Sequence, residues 1–476
     1  MMDKLTKWME KHFIPIAAKI GNEKHLIALR DAFIGTMPAV MAGSLATMIN
    51  ALIRDLPTQF FPNYDGTTIP VIKEIISVNG FMWNGSLAIV GLVFAFSWGY
   101  NLAKMYKVDA LAGGIVALAA SFMGLAMNYK GNLAVSLPGK AVKAINEAGV
   151  AAANGFTATG KGIDITAGGW VELGNLSANF YFTAIITGFV ALWIFAKLIH
   201  MNIVIKMPDS VPPAVSKAFV AIIPSVVALY ALAIFYYVFS LLVPDQSFLV
   251  FIQKIIAEPL LGASQGYWSV LLITFLVQLL WFFGIHGTNV MAPILESVFT
   301  VAQLANMGFY KAGGMAEVVD KGYMWVRGSF DIYAWFGGAG GTVMMILALV
   351  IFSKRQDYKT IGKLSLAPGI FNINEPVMFG LPVVLNPIMV IPFVFGPLVS
   401  VSIGYFATAA HLVNPVSQQV VWVTPPLINA FLATNGDWRA VVWSAICMLV
   451  TFLIYVPFVL AANRMANKSV DIEDVN

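Results

Sequence analysis

Charge is what this chain has least of. Asp, Glu, Lys and Arg together make up 11% of its 476 residues, where a soluble domain carries about a quarter. That deficit excludes a large water-soluble fold. Cysteine is nearly missing as well: Cys447, in "SAICMLVTF", stands alone, so no internal disulfide can form and apolar packing is its expected role. The sequence has no GxxxxGK[ST] loop, no kinase motif set and no His/Cys cluster at metal-ligand spacing, which leaves nucleotide and metal chemistry without support. Nor does it alternate apolar and polar residues over runs of about ten, as a transmembrane barrel does. No cofactor and no metal are expected.

What remains is grease in blocks. Hydrophobic residues reach 59% and mean hydropathy is +0.79, and the apolar runs are about twenty residues long, the length that crosses a bilayer as a helix. The fold class expected is an all-α polytopic membrane protein. Spans are expected near 33–53, 86–103, 108–127, 180–199 and 217–243, and again near 267–285, 328–353, 383–411, 418–434 and 438–464. The net charge of +4 is scattered through the connections, which reads as a topology signal and not as a nucleic-acid surface. Lys104, Lys107, Lys197, Lys206 and Lys217 mark cytoplasmic connections, as do the lysines of the N-terminal stretch "MMDKLTKWMEKHFIPIAAKI". That stretch is basic and amphipathic without a cleavable apolar core, so the first span is expected to act as the insertion signal. Lys354, Arg355, Lys359 and Lys363 carry the same sign, which the span count accommodates only if one segment re-enters or 247–265 also crosses. Segment 128–179 is polar, rich in Gly, Ala and Asn and without clear periodicity, and is expected to lie outside the hydrocarbon.

Two apolar segments are interrupted. "IHGTNVMAPILESVFTVAQLAN" (285–306) contains Gly287, Thr288, Asn289, Pro293 and Glu296; "APGIFNINEPVMFGLP" (367–382) contains three prolines, two glycines and two asparagines. Proline removes an amide donor and breaks the helical ladder. Broken backbone at membrane depth survives only inside protein or beside a wet cavity, and paired broken segments point to a transporter's binding site. Proline-kinked helices are the bland alternative.

Glu375 lies in the second segment with no Lys or Arg beside it. An intramembrane carboxylate costs about 2.5–3.5 kcal/mol by insertion scales and is functional by default. It suits a group that accepts or shares the proton of a sugar hydroxyl, against the alternative of capping freed amides. His286, in "LLWFFGIHGTNV", sits at the mouth of the other segment, and Trp281 precedes it by just over one helical turn. Aromatic faces suit pyranose C–H faces, although interface anchoring explains most of the twelve tryptophans. Asn372, Asn374, Asn289 and Thr288 add neutral donors and acceptors. Such a lining, polar but nearly uncharged, suits a neutral polyol.

"GIFNINEPVMFGLPVVLNPI" and "WFFGIHGTNVMAPIL" resemble the membrane subunit (enzyme IIC) of the sugar phosphotransferase system, lactose/cellobiose/chitobiose family, and the likeness runs from "HLIALRDAFIGTMPAVMAGSL" onward. The resemblance implies a homodimer in the bacterial cytoplasmic membrane, with about ten spans and two re-entrant hairpins per subunit. It implies a dimer-side scaffold over 1–245 and a moving sugar-binding part over 246–476. It implies that Glu375 and His286 hold a β-linked disaccharide of cellobiose, chitobiose or lactose type near its 6-hydroxyl, with Trp281 and Trp422 stacking. A stretch before the fourth span touches sugar in that family; here it is "LGNLSANFYFTAI", giving Asn175, Ser177 and Asn179, the last two where the family pattern has glycine. The phosphoryl donor implied is a phosphocysteine on a separate enzyme IIB at the cytoplasmic face, since no appended phosphorylatable domain is recognised. From the residues alone, a proton-coupled secondary carrier with Glu375 as its coupling carboxylate stands beside the phosphotransfer reading.

Overall fold

Helices account for nearly all the apolar blocks. The structure, a computed structural model, describes residues 23–473 apart from 56, 59–60, 62, 134–137, 148–155, 160–161, 169–170, 209, 245, 382 and 384–388. The basic N-terminal stretch and Pro382 of the second broken segment therefore lie outside the described residues. The helices are α1 (Lys24–Asn50), α2 (Pro70–Asn84), α3 (Val90–Met105), α4 (Ala110–Phe122), α5 (Gly139–Glu147), α6 (Tyr181–His200), α7 (Pro213–Leu242), α8 (Phe248–Ile252), α9 (Glu258–Ser264) and α10 (Tyr267–Phe282). They continue as α11 (Gly287–Ile294), α12 (Val301–Lys321), α13 (Arg327–Tyr333), α14 (Thr342–Phe352), α15 (Gln356–Ile370), α16 (Glu375–Gly380), α17 (Val390–Ala409), α18 (Pro426–Ala433) and α19 (Trp438–Glu473).

Among the described residues seven helices are long and apolar enough to cross a membrane, and the pair Phe248–Ser264 and Tyr267–Phe282, bent by 77°, makes an eighth. The count reaches the expected ten only with the shorter apolar helices α4 and α14.

Two expected spans and one expected break are corrected. The stretch 328–353 is not one helix: Gly337, Gly338, Gly340 and Gly341 all take positive φ, a conformation that ends an α-helix and that glycine adopts at no steric cost, so α13 and α14 are separate. The stretch 418–434 is helical only over α18, because Pro425 and Pro426 set the start of the helix. Conversely, the first broken segment is helical through its proline. Pro293 lies inside α11, and a π-helical turn, Leu295–Thr300, absorbs the missing donor before α12 begins.

The chain forms two compact units, one of residues 1–90 with 256–476 and one of residues 91–255, so packing groups the first ninety residues with the C-terminal part. In the second unit α4 packs on α6, and α7 on both. Small residues allow the approach: a Cβ on Gly113 would come within 3.0 Å of the Gly99 carbonyl of α3, the close-backbone contact favoured where no water drives packing. Trp98 Nε1 donates to the Ile185 carbonyl at 3.1 Å, and Thr187 Oγ1 to Ser121 Oγ at 2.9 Å. The 128–179 segment of this unit holds a small antiparallel sheet of order β1 (Asn128–Leu133), β3 (Gly162–Gly168), β2 (Phe156–Thr159). Asn128 pairs with Gly168 and Phe156 with Ile165.

In the first unit α17, α14 and α18 pack on α19, α10 packs on α17, and α1 on α2. Irregular backbone here is satisfied by buried amide side chains. Gln303 donates to the Gln418 carbonyl at 2.9 Å and accepts from the Gly328 N–H at 2.7 Å. Asn306 donates to the carbonyls of Tyr323 and Val416 at 2.7 and 2.8 Å. Each unpaired backbone group in hydrocarbon costs several kcal/mol, so these amides are what permit the loop after Leu412.

Candidate functional site

Two helical hairpins carry the two broken segments. The first is α10–α11, whose turn contains Gly284 at φ +76°. His286 caps α11: the Asn289 backbone N–H donates to its Nδ1 at 3.3 Å, and Thr288 Oγ1 lies 3.0 Å from the same nitrogen. A backbone N–H can only donate, so Nδ1 is an acceptor and the proton of the neutral ring resides on Nε2. Gly287 touches the Val277 carbonyl of α10, where any Cβ would collide. Trp281, only 3% exposed, lies with its ring centroid 4.4 Å from that of His286.

The second hairpin is α15–α16. Asn372 at its tip has φ +63°, a left-handed conformation that asparagine tolerates better than most residues. Its side-chain amide is fully engaged with backbone: Oδ1 accepts from the Gly337 N–H at 2.7 Å, and Nδ2 donates to the carbonyls of Trp422 and Thr424 at 2.6 and 2.9 Å. Buried Asn374 donates to the Ala339 carbonyl at 3.2 Å. A Cβ on Gly338 would come within 2.8 Å of Asn374 Cγ. The glycine turn 337–341 is therefore the socket for this tip, and Glu375 follows as the first residue of α16.

Both tips line one cavity of about 500 Å³, together with α1, α13 and the loop before α18, a size typical of small-ligand sites. The cavity brings together Trp281, His286, Thr288, Asn289, Asn372, Asn374, Glu375 and Trp422. Of these, Asn372 and Asn374 hold backbone, and Trp281 packs His286. Trp422, 47% exposed, presents an open indole. Asn175, Ser177 and Asn179 belong to the other compact unit. There Ser177 and Asn179 donate to the Gly174 carbonyl, and Asn175 to Glu172.

Two expectations need correction. Glu375 is exposed and lines the cavity, so it is not a carboxylate buried in an apolar run. Its side chain makes no hydrogen bond to another described residue. The lining is also not nearly uncharged: Arg30, Glu296, Arg327 and Asp331 contribute to it. Arg327 Nη1 donates to Asp331 Oδ1 at 2.8 Å, and Nε lies 3.7 Å from Glu296 Oε1. The π-turn after Pro293 is what carries Glu296 there. Arg327 and Asp331 stand four apart in "WVRGSFDIYAW", so the rule that singles out Glu375, an ionisable residue in an apolar run, points to them as well.

Several buried polar atoms on this lining have no hydrogen-bond partner among the described residues: Nε1 of Trp281 and Trp335, and Oε1 of Gln418 and Gln419. The accessible part of the lining, with the open Trp422 indole and the exposed Glu375, suits a solute with hydroxyls and apolar ring faces.

Residues 30–397 match the family described as phosphotransferase system, EIIC. The chain is 46% identical to the PTS system cellobiose-specific EIIC component of Lactococcus lactis subsp. lactis (strain IL1403), over 99% of this chain and 100% of the other. It is 33% identical to the lichenan permease IIC component of Bacillus subtilis (strain 168), over 96% and 93% of the two chains. It is also similar, at a TM-score of 0.82 and 28% identity over 96% and 98% of the chains, to the crystal structure of the transporter ChbC, the IIC component from the N,N'-diacetylchitobiose-specific phosphotransferase system. A helical chain of many apolar spans with these likenesses is an integral protein of the bacterial cell membrane, and it belongs to the EIIC family of the phosphotransferase system.

Proposed function

We propose that this permease carries a β-linked disaccharide inward and presents its 6-hydroxyl to a phosphocysteine on a separate IIB subunit. The observation that carries the reading is the meeting of Glu375 and His286, from two hairpins, on one cavity with three tryptophans. The disaccharide class is taken from the relatives' cellobiose and diacetylchitobiose specificities. Trp422 offers a face for a pyranose ring, and His286 Nε2–H a donor to its hydroxyl rim.

Phosphoryl transfer asks for an in-line hydroxyl and control of its proton more than for covalent help. Glu375, with no competing partner among the described residues, orients the 6-hydroxyl and takes its proton as the oxygen bonds to phosphorus. The chain's own Cys447 is ruled out as carrier by its burial: it is 0% exposed, with Sγ donating to the Ser400 carbonyl at 3.4 Å. Family membership points to IIB as the donor, and the charged ester formed cannot easily recross the bilayer. Family membership favours this group translocation over proton-coupled carriage by Glu375.

We assign residues 1–245 to a homodimer-side scaffold, with α1 lending residues to the cavity, and 246–476 to a sugar-binding part that moves as a body. The chemical test is to incubate purified protein with cellobiose and phosphorylated IIB and locate the phosphate by phosphorus NMR. A 6-phosphate ester supports the reading; a different ester position, or none from any β-disaccharide, overturns it.

A further inference from the structure

The charge balance of the cavity singles out Arg30. Two guanidinium groups line it, those of Arg30 and Arg327. Arg327 is engaged by two carboxylates, Asp331 and Glu296, with its guanidinium 5.0 Å from the Trp335 ring centroid. One cation against two anions leaves that cluster negative, and Glu375 adds a further negative charge. A phosphoryl group carries about two negative charges of its own and meets Coulomb repulsion from such a lining.

Arg30 is held differently. Its Nε and Nη2 both donate to a single oxygen, Asp31 Oδ1, at 2.9 and 2.7 Å. Asp31 is not on the lining. This one-sided clamp fixes the guanidinium plane and leaves Nη1, with two N–H groups, unpartnered among the described residues. Arg30 lines the same cavity as His286 and Glu375, and its charge bears on the His286 ring.

We propose that Arg30 is the phosphoryl-binding cation of the transfer step, its Nη1 edge receiving the non-bridging oxygens as the group passes to the 6-hydroxyl. The proposal rests on the function proposed above. In the step the hydroxyl oxygen bonds to phosphorus as the P–S bond breaks. The hydroxyl proton goes to the Glu375 carboxylate, and the electron pair of the P–S bond leaves with the cysteine thiolate of IIB. Arg30 exchanges no proton, because a guanidinium stays charged. Its contribution is a preorganised donor pair where negative charge gathers, in the fork geometry that suits phosphate oxygens.

The experiment uses the full-length protein with Arg30→Ala and Arg30→Gln, the second keeping hydrogen bonding but not charge. Two quantities are read: equilibrium cellobiose binding without IIB, and sugar phosphate formed with phosphorylated IIB. Binding stays near wild type while the transfer rate falls about 100-fold or more, the usual loss for one donor to developing charge. Arg30→Lys recovers part of the rate, as a point charge without the fork. Transfer at the wild-type rate in either uncharged variant overturns the proposal. So does a parallel loss of binding and transfer in both, which makes Arg30 a structural residue. A wild-type protein that forms no sugar phosphate removes the underlying function and this proposal together, and the wild-type arm alone reveals that case.

Discussion

The indole of Trp281 and the imidazole of His286 lie with centroids 4.4 Å apart and planes at 47°. One belongs to the last turn of α10 and the other to the cap of α11, so the pair spans the hairpin turn. With Nδ1 held by the Asn289 N–H, the indole fixes the ring's remaining freedom and leaves Nε2 as its donor. Aromatic pairs of this kind contribute about 0.5–1.5 kcal/mol beyond burial. Trp281→Phe is expected to fold and to bind cellobiose up to about tenfold more weakly. Unchanged affinity, measured by calorimetry in detergent, would separate Trp281 from the positioning of His286.

His286 has two functions that substitution can part. It caps α11, worth about 0.5–2 kcal/mol, and it offers Nε2–H to the cavity. His286→Ala loses both, lowering thermal stability and sugar affinity. His286→Asn restores a good cap without the ring nitrogen, so stability recovers and affinity does not. If His286→Asn binds sugar as wild type does, the imidazole's role is capping alone.

Glu375→Gln keeps the shape of the tip and removes the proton acceptor. Sugar-phosphate formation is expected to fall about 10²–10⁴-fold, the span of general-base contributions, while the oligomeric state by size exclusion with light scattering matches that of the unsubstituted protein. Robust phosphorylation by this variant would dismiss Glu375 as orienter or base.

Asn372 latches the second hairpin to both the glycine turn and the Trp422 loop. Asn372→Ala loses three hydrogen bonds, each about 1 kcal/mol, and adds about 1–2 kcal/mol for a left-handed alanine. Asn372→Gly loses the bonds but not the backbone freedom. The expected order of melting temperature is wild type, then Gly, then Ala. Equal melting of Gly and Ala would show that the left-handed backbone carries no cost here.

Composition made the membrane class legible, and proline, glycine and asparagine inside apolar runs made the two hairpin tips legible. Glu375 and His286 could be picked because an ionisable residue in such a run has few bland explanations. Their meeting on one site came only from the family resemblance, since residue patterns alone do not give the fold back from α16 to α11. The glycine turn 337–341 was missed because "WFGGAGGTVMM" scores as apolar throughout, and hydropathy is blind to positive φ. Pro293 was over-read: a proline breaks a ladder, but a π-turn can absorb it within a continuous helix. Arg30 carries no signal of its own in the sequence, because a basic residue followed at once by Asp31 near a helix start is ordinary. The small sheet at 128–168 is built from short strands holding Gly, Asn and Lys, which give no alternation to detect.

The central claim is that the cavity holding Glu375 and His286 presents sugar for phosphorylation as it crosses. The most direct measurement is uptake of radiolabelled cellobiose into vesicles bearing this protein, with and without phosphorylated IIB inside. Accumulation as sugar phosphate, only with IIB and only when Glu375 is intact, is the predicted result. Accumulation of free sugar driven by a proton gradient without IIB would contradict it.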